Sequence, residues 1–317
     1  MKIGSGSLPL TGVFALALEE ERSGTEMNDK VLISVVIPMY NEEQAIAGDL
    51  QTILEAMAGS GLSYEVIVVD DGSTDRGPEI LKQFEGIQVI RHPYNRGTGA
   101  ARTTGIKAAR GDIIAMTDAD GTYPNAEMPK MVSYILDQGF CQVIGARREE
   151  KGTMRWLRSP VKWFIRQLAS YLMNIRIPDL NSGMRAFRRD LALQYLNILP
   201  TTHSWVSTIT LAFLSDRHPV TWMPIDYFPR KGPSSFHPIA DTYNYLTQVV
   251  RTVTYFNPLK VFLPIALLLF AAGIGKGIFD LIVNLRLRES DMLMIITGLI
   301  IGMMGLLADL IVQRSRL

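Results

Sequence analysis

The chain has 317 residues, 47% of them apolar and 20% charged, and a formal net charge of +1. That profile excludes a disordered chain and a general nucleic-acid binder, and the length suggests about two domains. A single cysteine, Cys141, excludes a disulfide framework, and no thiolate-stabilising pattern surrounds it.

The N-terminal "LPLTGVFALAL" is apolar for eleven residues and runs into "EEER". It is too short to cross a bilayer and lacks a clean cleavage site, so residues 1–30 are expected to form a poorly ordered extension. From residue 31 strands and helices alternate. "VLISVVIPMY" (31–40) is a β-branched run, and "NEEQAIAGDLQTILEAM" (41–57) opens on a capping Asn with acids in its first turn. "YEVIVVD" (64–70) and "IQVIRH" (87–92) are the next strands, and "GAARTTGIKAAR" (99–110) is a helix. "DIIAMTDAD" (112–120), "MPKMVSYILDQ" (128–138) and "CQVIGA" (141–146) continue as strand, helix and strand. Near-continuous apolar strands separated by helices predict a mostly parallel sheet covered on both faces, an α/β doubly wound domain.

Ligands of such sheets bind at the carboxyl ends of the strands. "YNEE", "DDGSTD", "DADGTYP" and "ARR" all fall on that edge. "GTGAARTTG" (97–105) lacks the Lys-Ser/Thr of a phosphate loop, and no GxGxxG follows the first strand, so a nucleotide would be held another way. "AMTDADGTYP" (115–124) sets two aspartates one residue apart. Asp-Gly is a common turn, and carboxylates at i and i+2 of an extended chain project to one side, so a turn and a cation site are both readings of it.

Between Arg147 and Arg189 stand eleven lysines and arginines, far outnumbering the acids. "VKWFIRQLASYLMN" (161–174) and "IADTYNYLTQVVRTVTYF" (239–256) carry apolar residues at helical spacing, as interfacial or core helices would. Val261–Val283 and Met292–Val312 are each long enough to cross about 30 Å of hydrocarbon. Lys276 and Asp280 share a helix face and would pair, or Lys276 would snorkel. The short "NLRLRES" between the spans makes them a hairpin with both outer ends on one side, and the balance of flanking positive residues modestly favours a cytoplasmic main domain.

Together "VVIPMYNEE" (35–43), "VVDDGSTD" (68–75), "NRGTGAARTTGIKAARGD" (95–112) and "TDADGTYP" (117–124) resemble family 2 glycosyltransferases of the GT-A fold. "GARR" (145–148), "PDLNSGMRAFRRD" (178–190), "PRKGPSSFHP" (229–238) and the two terminal spans narrow the likeness to polyprenyl-phosphate glycosyltransferases of the dolichol-phosphate mannose synthase type. The resemblance implies a Rossmann-like, mostly parallel GT-A catalytic domain over 31–230, a juxtamembrane segment over 231–257 and a transmembrane hairpin over 258–317. It implies transfer, with inversion, of one sugar from a nucleotide-diphosphate sugar to a polyprenyl phosphate, by an integral membrane enzyme whose catalytic domain faces the cytoplasm. A divalent cation, Mg²⁺ or Mn²⁺, would neutralise the departing diphosphate. By the same resemblance Asp120 is the principal metal ligand and Asp118 contacts metal or ribose. Pro38, Tyr40, Glu42, Asp70 and Asp71 line the donor pocket. Asp179 is a base or positioning residue. Arg147, Arg158, Lys162, Arg185, Arg230 and Lys231 are candidates for the acceptor phosphate. No nucleic-acid partner is expected, and homo-oligomerisation is left open. A processive polysaccharide synthase competes, but "GTMRW" (152–156) lacks the Gln of its Gln-x-x-Arg-Trp motif. A catalytically silent nucleotide-sugar binder competes too, against the intact Asp118/Asp120 pair.

Overall fold

The computed structural model describes residues 32–148, 170–171, 173–202, 204–230 and 257–315, with Gln167, Thr247 and Thr254 as single positions. The N-terminal extension and most of the stretches 161–174 and 239–256 lie outside them.

Seven strands form one sheet: β1 (Ile33–Met39), β2 (Tyr64–Asp70), β3 (Ile87–Arg91), β4 (Ile113–Met116), β5 (Gln142–Arg147), β6 (Arg185–Arg188) and β7 (Val220–Ile225). Their order is β3-β2-β1-β4-β6-β5-β7. The pairings are parallel except at β6, which runs antiparallel between β4 and β5. The helices are α1 (Ile46–Gly59), α2 (Gly77–Leu81), α3 (Thr98–Ala108), α4 (Met128–Gln138), α5 (Arg189–Gln194), α6 (Trp205–Ser215), α7 (Pro258–Asn284) and α8 (Glu289–Ser315).

Two apolar cores explain why the central strands read as unbroken apolar runs. On β1, Ile33, Val35, Ile37 and Met39 point into one core with Ile46, Leu50 and Ile53 of α1 and Met131 and Val132 of α4. Val36 points into the other, with Ala101 and Ile106 of α3 and Trp205, Ile209 and Phe213 of α6. Alternation therefore decides which core a residue joins, and both sides are apolar.

Two element boundaries differ from expectation. The fourth strand ends at Met116, because Thr117 turns its hydroxyl to Asn125 Oδ1 (2.7 Å) and the chain leaves the ladder. The first helix begins at Ile46, not at Asn41. Asn41 sits at φ 55°, and its Oδ1 accepts the Thr74 amide (2.8 Å), joining two loops where a helix cap was expected.

α7 and α8 are both long and apolar enough to cross a membrane. They meet on small residues: Gly298 lies against the Ala266 carbonyl and the Phe270 backbone, Gly305 against Phe262, and Gly273 against Ile295. Such residues let helix backbones approach closely where apolar burial gives little drive. Lys276 makes the expected bond to Asp280 (2.9 Å) and also reaches Asp291 on the partner helix (2.5 Å). The charges near the turn are thus paired across the hairpin.

Gly105 shows how closely α3 approaches the sheet, since a Cβ there would collide with Val36 Cγ1. Alanine raises helix propensity by roughly 0.8–1 kcal/mol, whereas overpacking a tight core costs roughly 1–3 kcal/mol. Gly105→Ala is expected to lower the midpoint of thermal unfolding, followed by tryptophan fluorescence in detergent. A rise would show that Val36 yields without strain.

Candidate active site

The edge at the carboxyl ends of β1, β2 and β4 is assembled by side chains bonding to neighbouring loops. Asp70 Oδ1 accepts the Ser73 amide (2.8 Å), closing the turn after β2. Asp71 accepts the amides of Arg96 (3.0 Å) and Gly97 (2.8 Å) and meets His92 Nδ1 (2.6 Å). Gly72, at φ 79°, lies where a Cβ would press on the Tyr94 backbone. The Asn41 amide donates to Ser73 Oγ (3.0 Å) and the Glu43 amide to Asp75 Oδ2 (2.8 Å), so the loops after β1 and β2 form one unit.

The turn after β4 is pinned from below. Asp49 of α1 accepts the Gly121 amide (2.9 Å) and Asn125 Nδ2 (2.9 Å). Asp120 is thereby held with Oδ1 accepting the Thr122 hydroxyl (2.6 Å) and Oδ2 facing Arg230 (3.5 Å). Asp118 Oδ1 accepts from the buried Arg102 (2.6 Å), and its other oxygen occupies space that a Cβ on Gly183 would fill. The Gly183 amide donates to the Tyr123 hydroxyl (2.7 Å), fastening the loop before β6 onto the turn after β4.

Glu42 stands beside this pair and bonds Arg230. Burial pushes the Glu42 carboxyl up to about 8, and Asp120, Asp118 and Asp75 add to the rise while Arg230 opposes it. Burial, and next the Asp118 charge, also raises Asp120. Three carboxylates therefore crowd one edge and favour a cation. No three His, Cys, Asp or Glu side chains form a closed metal cage among the described residues. Two carboxylates with room for substrate oxygens suit Mg²⁺ or Mn²⁺, which bind through few protein ligands plus phosphates. The donor set fits such an ion, with Asp118 and Asp120 to hold it.

The other expected residues divide. Pro38 is buried within β1, while Tyr40 at its end is exposed. Asp70 and Asp71, expected in the donor pocket, are both buried at this edge. One oxygen of Asp70 and both of Asp71 accept loop amides, while Asp70 Oδ2 pairs with Arg91 (3.1 Å). Arg185, a candidate for the acceptor phosphate, lies inside the fold. It is fully buried and donates to the carbonyls of Val206 (2.8 Å) and Ser182 and to Thr210 (3.0 Å).

Arg147 holds Asp179 by two bonds, 2.7 and 3.0 Å, and lies over the Tyr227 ring (5.2 Å). Burial raises the Asp179 carboxyl, but the Arg147 charge and the bonds from Arg147 and Asn181 outweigh it and hold the group below the ordinary carboxylate range. A carboxylate so held is a poor proton acceptor, and removing either partner of a buried pair costs about 3–5 kcal/mol. Asp179 is thus held by Arg147 as a buried ion pair. Arg158, Lys162 and Lys231 lie outside the described residues.

Arg102, Asp49, Asn125, Thr122 and Tyr227 escaped the sequence reading. Only Asp49 left a signal: it is an acid on the apolar stripe Ile46, Leu50, Ile53, Met57, where an unpaired charge would be costly.

Residues 34–196 match the model of glycosyl transferase family 2, and residues 257–313 match that of the GtrB C-terminal hairpin. The undecaprenyl-phosphate 4-deoxy-4-formamido-L-arabinose transferase of Edwardsiella ictaluri is 29% identical over 250 residues, 76% of this chain and 75% of the relative. A low-salt glycan biosynthesis hexosyltransferase of Haloferax volcanii is 30% identical over 218 residues, 68% of this chain and 52% of the relative. The chain spans about half the length of several curated relatives it matches. Among solved structures, glucosyl-3-phosphoglycerate synthase from Mycobacterium tuberculosis, in complex with Mn²⁺, UDP and phosphoglyceric acid, has a TM-score of 0.55. It is 23% identical over 71% of this chain and 78% of that one, a likeness of fold, here the GT-A type. The carboxylate-lined edge, the sheet that carries it and the hairpin that follows thus agree with the two matched models, and the chain belongs to glycosyl transferase family 2.

Proposed function

We propose that this protein is a membrane-bound, inverting glycosyltransferase that moves one sugar from a nucleotide-diphosphate sugar to a polyprenyl phosphate. The observation that carries the reading is the Glu42–Asp118–Asp120 cluster on the ligand-binding edge of a chain that ends in an apolar hairpin. Two relatives support it by name, one a transferase to undecaprenyl phosphate and one a hexosyltransferase. The catalytic unit would be residues 31–230, with 231–257 as the juxtamembrane segment and 258–317 as the anchor.

A divalent cation held by Asp118 and Asp120 would supply Lewis-acid neutralisation of the diphosphate as it departs. The rest of the chemistry falls to positioning. Glu42 and Tyr40, at the end of β1, face the donor's nucleoside, and Pro38 shapes the strand beneath it. Arg102 keeps Asp118 in place from the protein side. Arg147, oriented by Asp179, and Arg230 sit where an anionic acceptor would be drawn, with Arg158, Lys162 and Lys231 as further candidates. A phosphate monoester is already ionised at neutral pH, so one of its oxygens forms the new bond to the anomeric carbon while the bond to the diphosphate breaks. No general base is required, in keeping with the Arg147-bound state of Asp179. Nucleotide sugars are cytosolic, which places the domain on the cytoplasmic side. Both hairpin ends then lie there, with Lys260 and Arg314 beside them.

Two outcomes test the reading. Asp120→Asn is expected to lower transfer of labelled sugar to undecaprenyl phosphate by about 10²-fold or more, the scale of losing an electrostatic stabiliser of the transition state. Wild-type activity that persists in EDTA would refute the metal assignment. Removing residues 258–317 is expected to impair use of the lipid acceptor far more than nucleotide-sugar binding measured by calorimetry. Equal use of the lipid by both forms would refute the role of the hairpin.

A further inference from the structure

We propose that Arg230 is an internal cation that holds Glu42 and Asp120 until a divalent cation displaces it, so that loading the site and releasing the Arg230 guanidinium are one event. The inference rests on the reading of Asp120 as a cation ligand.

Arg230 lies 188 residues from Glu42 in sequence, yet its guanidinium forks between two carboxylates of the site. Nη2 bonds Glu42, and Nη1 is 3.5 Å from Asp120 Oδ2. The other oxygen of Asp120, Oδ1, is taken by the amide and hydroxyl of Thr122. Oδ2 is therefore the oxygen left to meet a cation, and Arg230 faces that oxygen. A second cation placed there would meet like charge at short range, and arginine cannot relieve this by losing its proton.

Arg102 and Arg230 differ in their freedom to yield. Arg102 is 3% exposed, stacks on the Trp205 ring (5.8 Å) and serves Asp118 from within the fold. The Arg230 side chain is one-third exposed (33%) on a stretch without regular structure that follows β7. That stretch is fixed to the site at Phe228, whose amide donates to the Thr122 carbonyl (2.9 Å). Displacing the guanidinium thus leaves in place the turn that carries Asp120. A released guanidinium is a phosphate-binding group, suited by its planar fork to phosphate oxygens. Coupling between two sites is reciprocal, so an anion that captures Arg230 would in turn favour loading of the cation.

The test titrates Mn²⁺ alone into the full chain in detergent and follows free Mn²⁺ by its paramagnetic resonance signal, with no sugar transfer involved. R230Q removes the competing charge and is expected to bind Mn²⁺ about tenfold more tightly, within the range of measured site couplings. R230A carries the same expectation, and R230K, which keeps the charge, stays near wild type. If D120N abolishes binding while R230Q and R230A bind no more tightly than wild type, the Arg230 proposal falls and the metal reading stands. If D120N binds Mn²⁺ as well as wild type does, both fall.

Discussion

The constraint on which the site depends is the gathering of like charge. Glu42, Asp118 and Asp120 are brought to one edge by strands β1 and β4, which are adjacent and parallel. Burial makes Glu42 and Asp120 harder to ionise, and the Asp118 charge adds to the effect on both. Such an arrangement would not persist in a fold selected for stability alone, because replacing the acids would relieve it. It persists where the charge is to be used, and strained electrostatics of this kind mark functional sites. The surrounding protein is organised to bear it: Arg102 beneath Asp118, Arg230 across Glu42 and Asp120, and Thr122 on the remaining oxygen.

Holding three repelling groups in register needs stiff loops, and here the loops are stiffened by polar side chains. Asp49, Asp70, Asp71, Asn41 and Asn125 each accept or donate across a loop, and three of the five lie within the motifs that carry the family resemblance. These side chains replace the backbone ladder at the points where the chain must leave the sheet. The partly exposed Arg230 and Tyr40 are set around this frame rather than built into it.

This organisation also explains what was readable in the sequence and what was not. The strand order through β5 and the helices α1, α3 and α4 were legible because buried strands and amphipathic helices have distinct periods, whereas the five-residue α2 was too short to show one; the ligand edge followed from where the polar residues fell. The hairpin was legible from length and apolarity. β6 and β7 were not, and β6 is only four residues long with two apolar residues between arginines, too short for an apolar run. Arg185 resembled a phosphate ligand for the same reason: an arginine in a basic stretch carries no mark of being buried, and only its three protein acceptors reveal it. Asp70 and Asp71 were legible as edge residues, but their bonds to loop amides were not, since a carboxylate that binds a ligand and one that binds a backbone amide look alike in a one-dimensional string.

The hairpin bears the same logic in a different solvent. A lysine and two aspartates are costly near hydrocarbon unless paired, and Lys276 sits between Asp280 of its own helix and Asp291 of the next. Arg288 lies 3.5 Å from Asp280, so two basic and two acidic groups balance near the turn. Because glycines set the distance between helices and the polar cluster sets their register, the pair is fixed at both levels without help from the apolar face turned outward. That face is free to meet lipid. A hairpin locked in this way can anchor a soluble domain at a membrane.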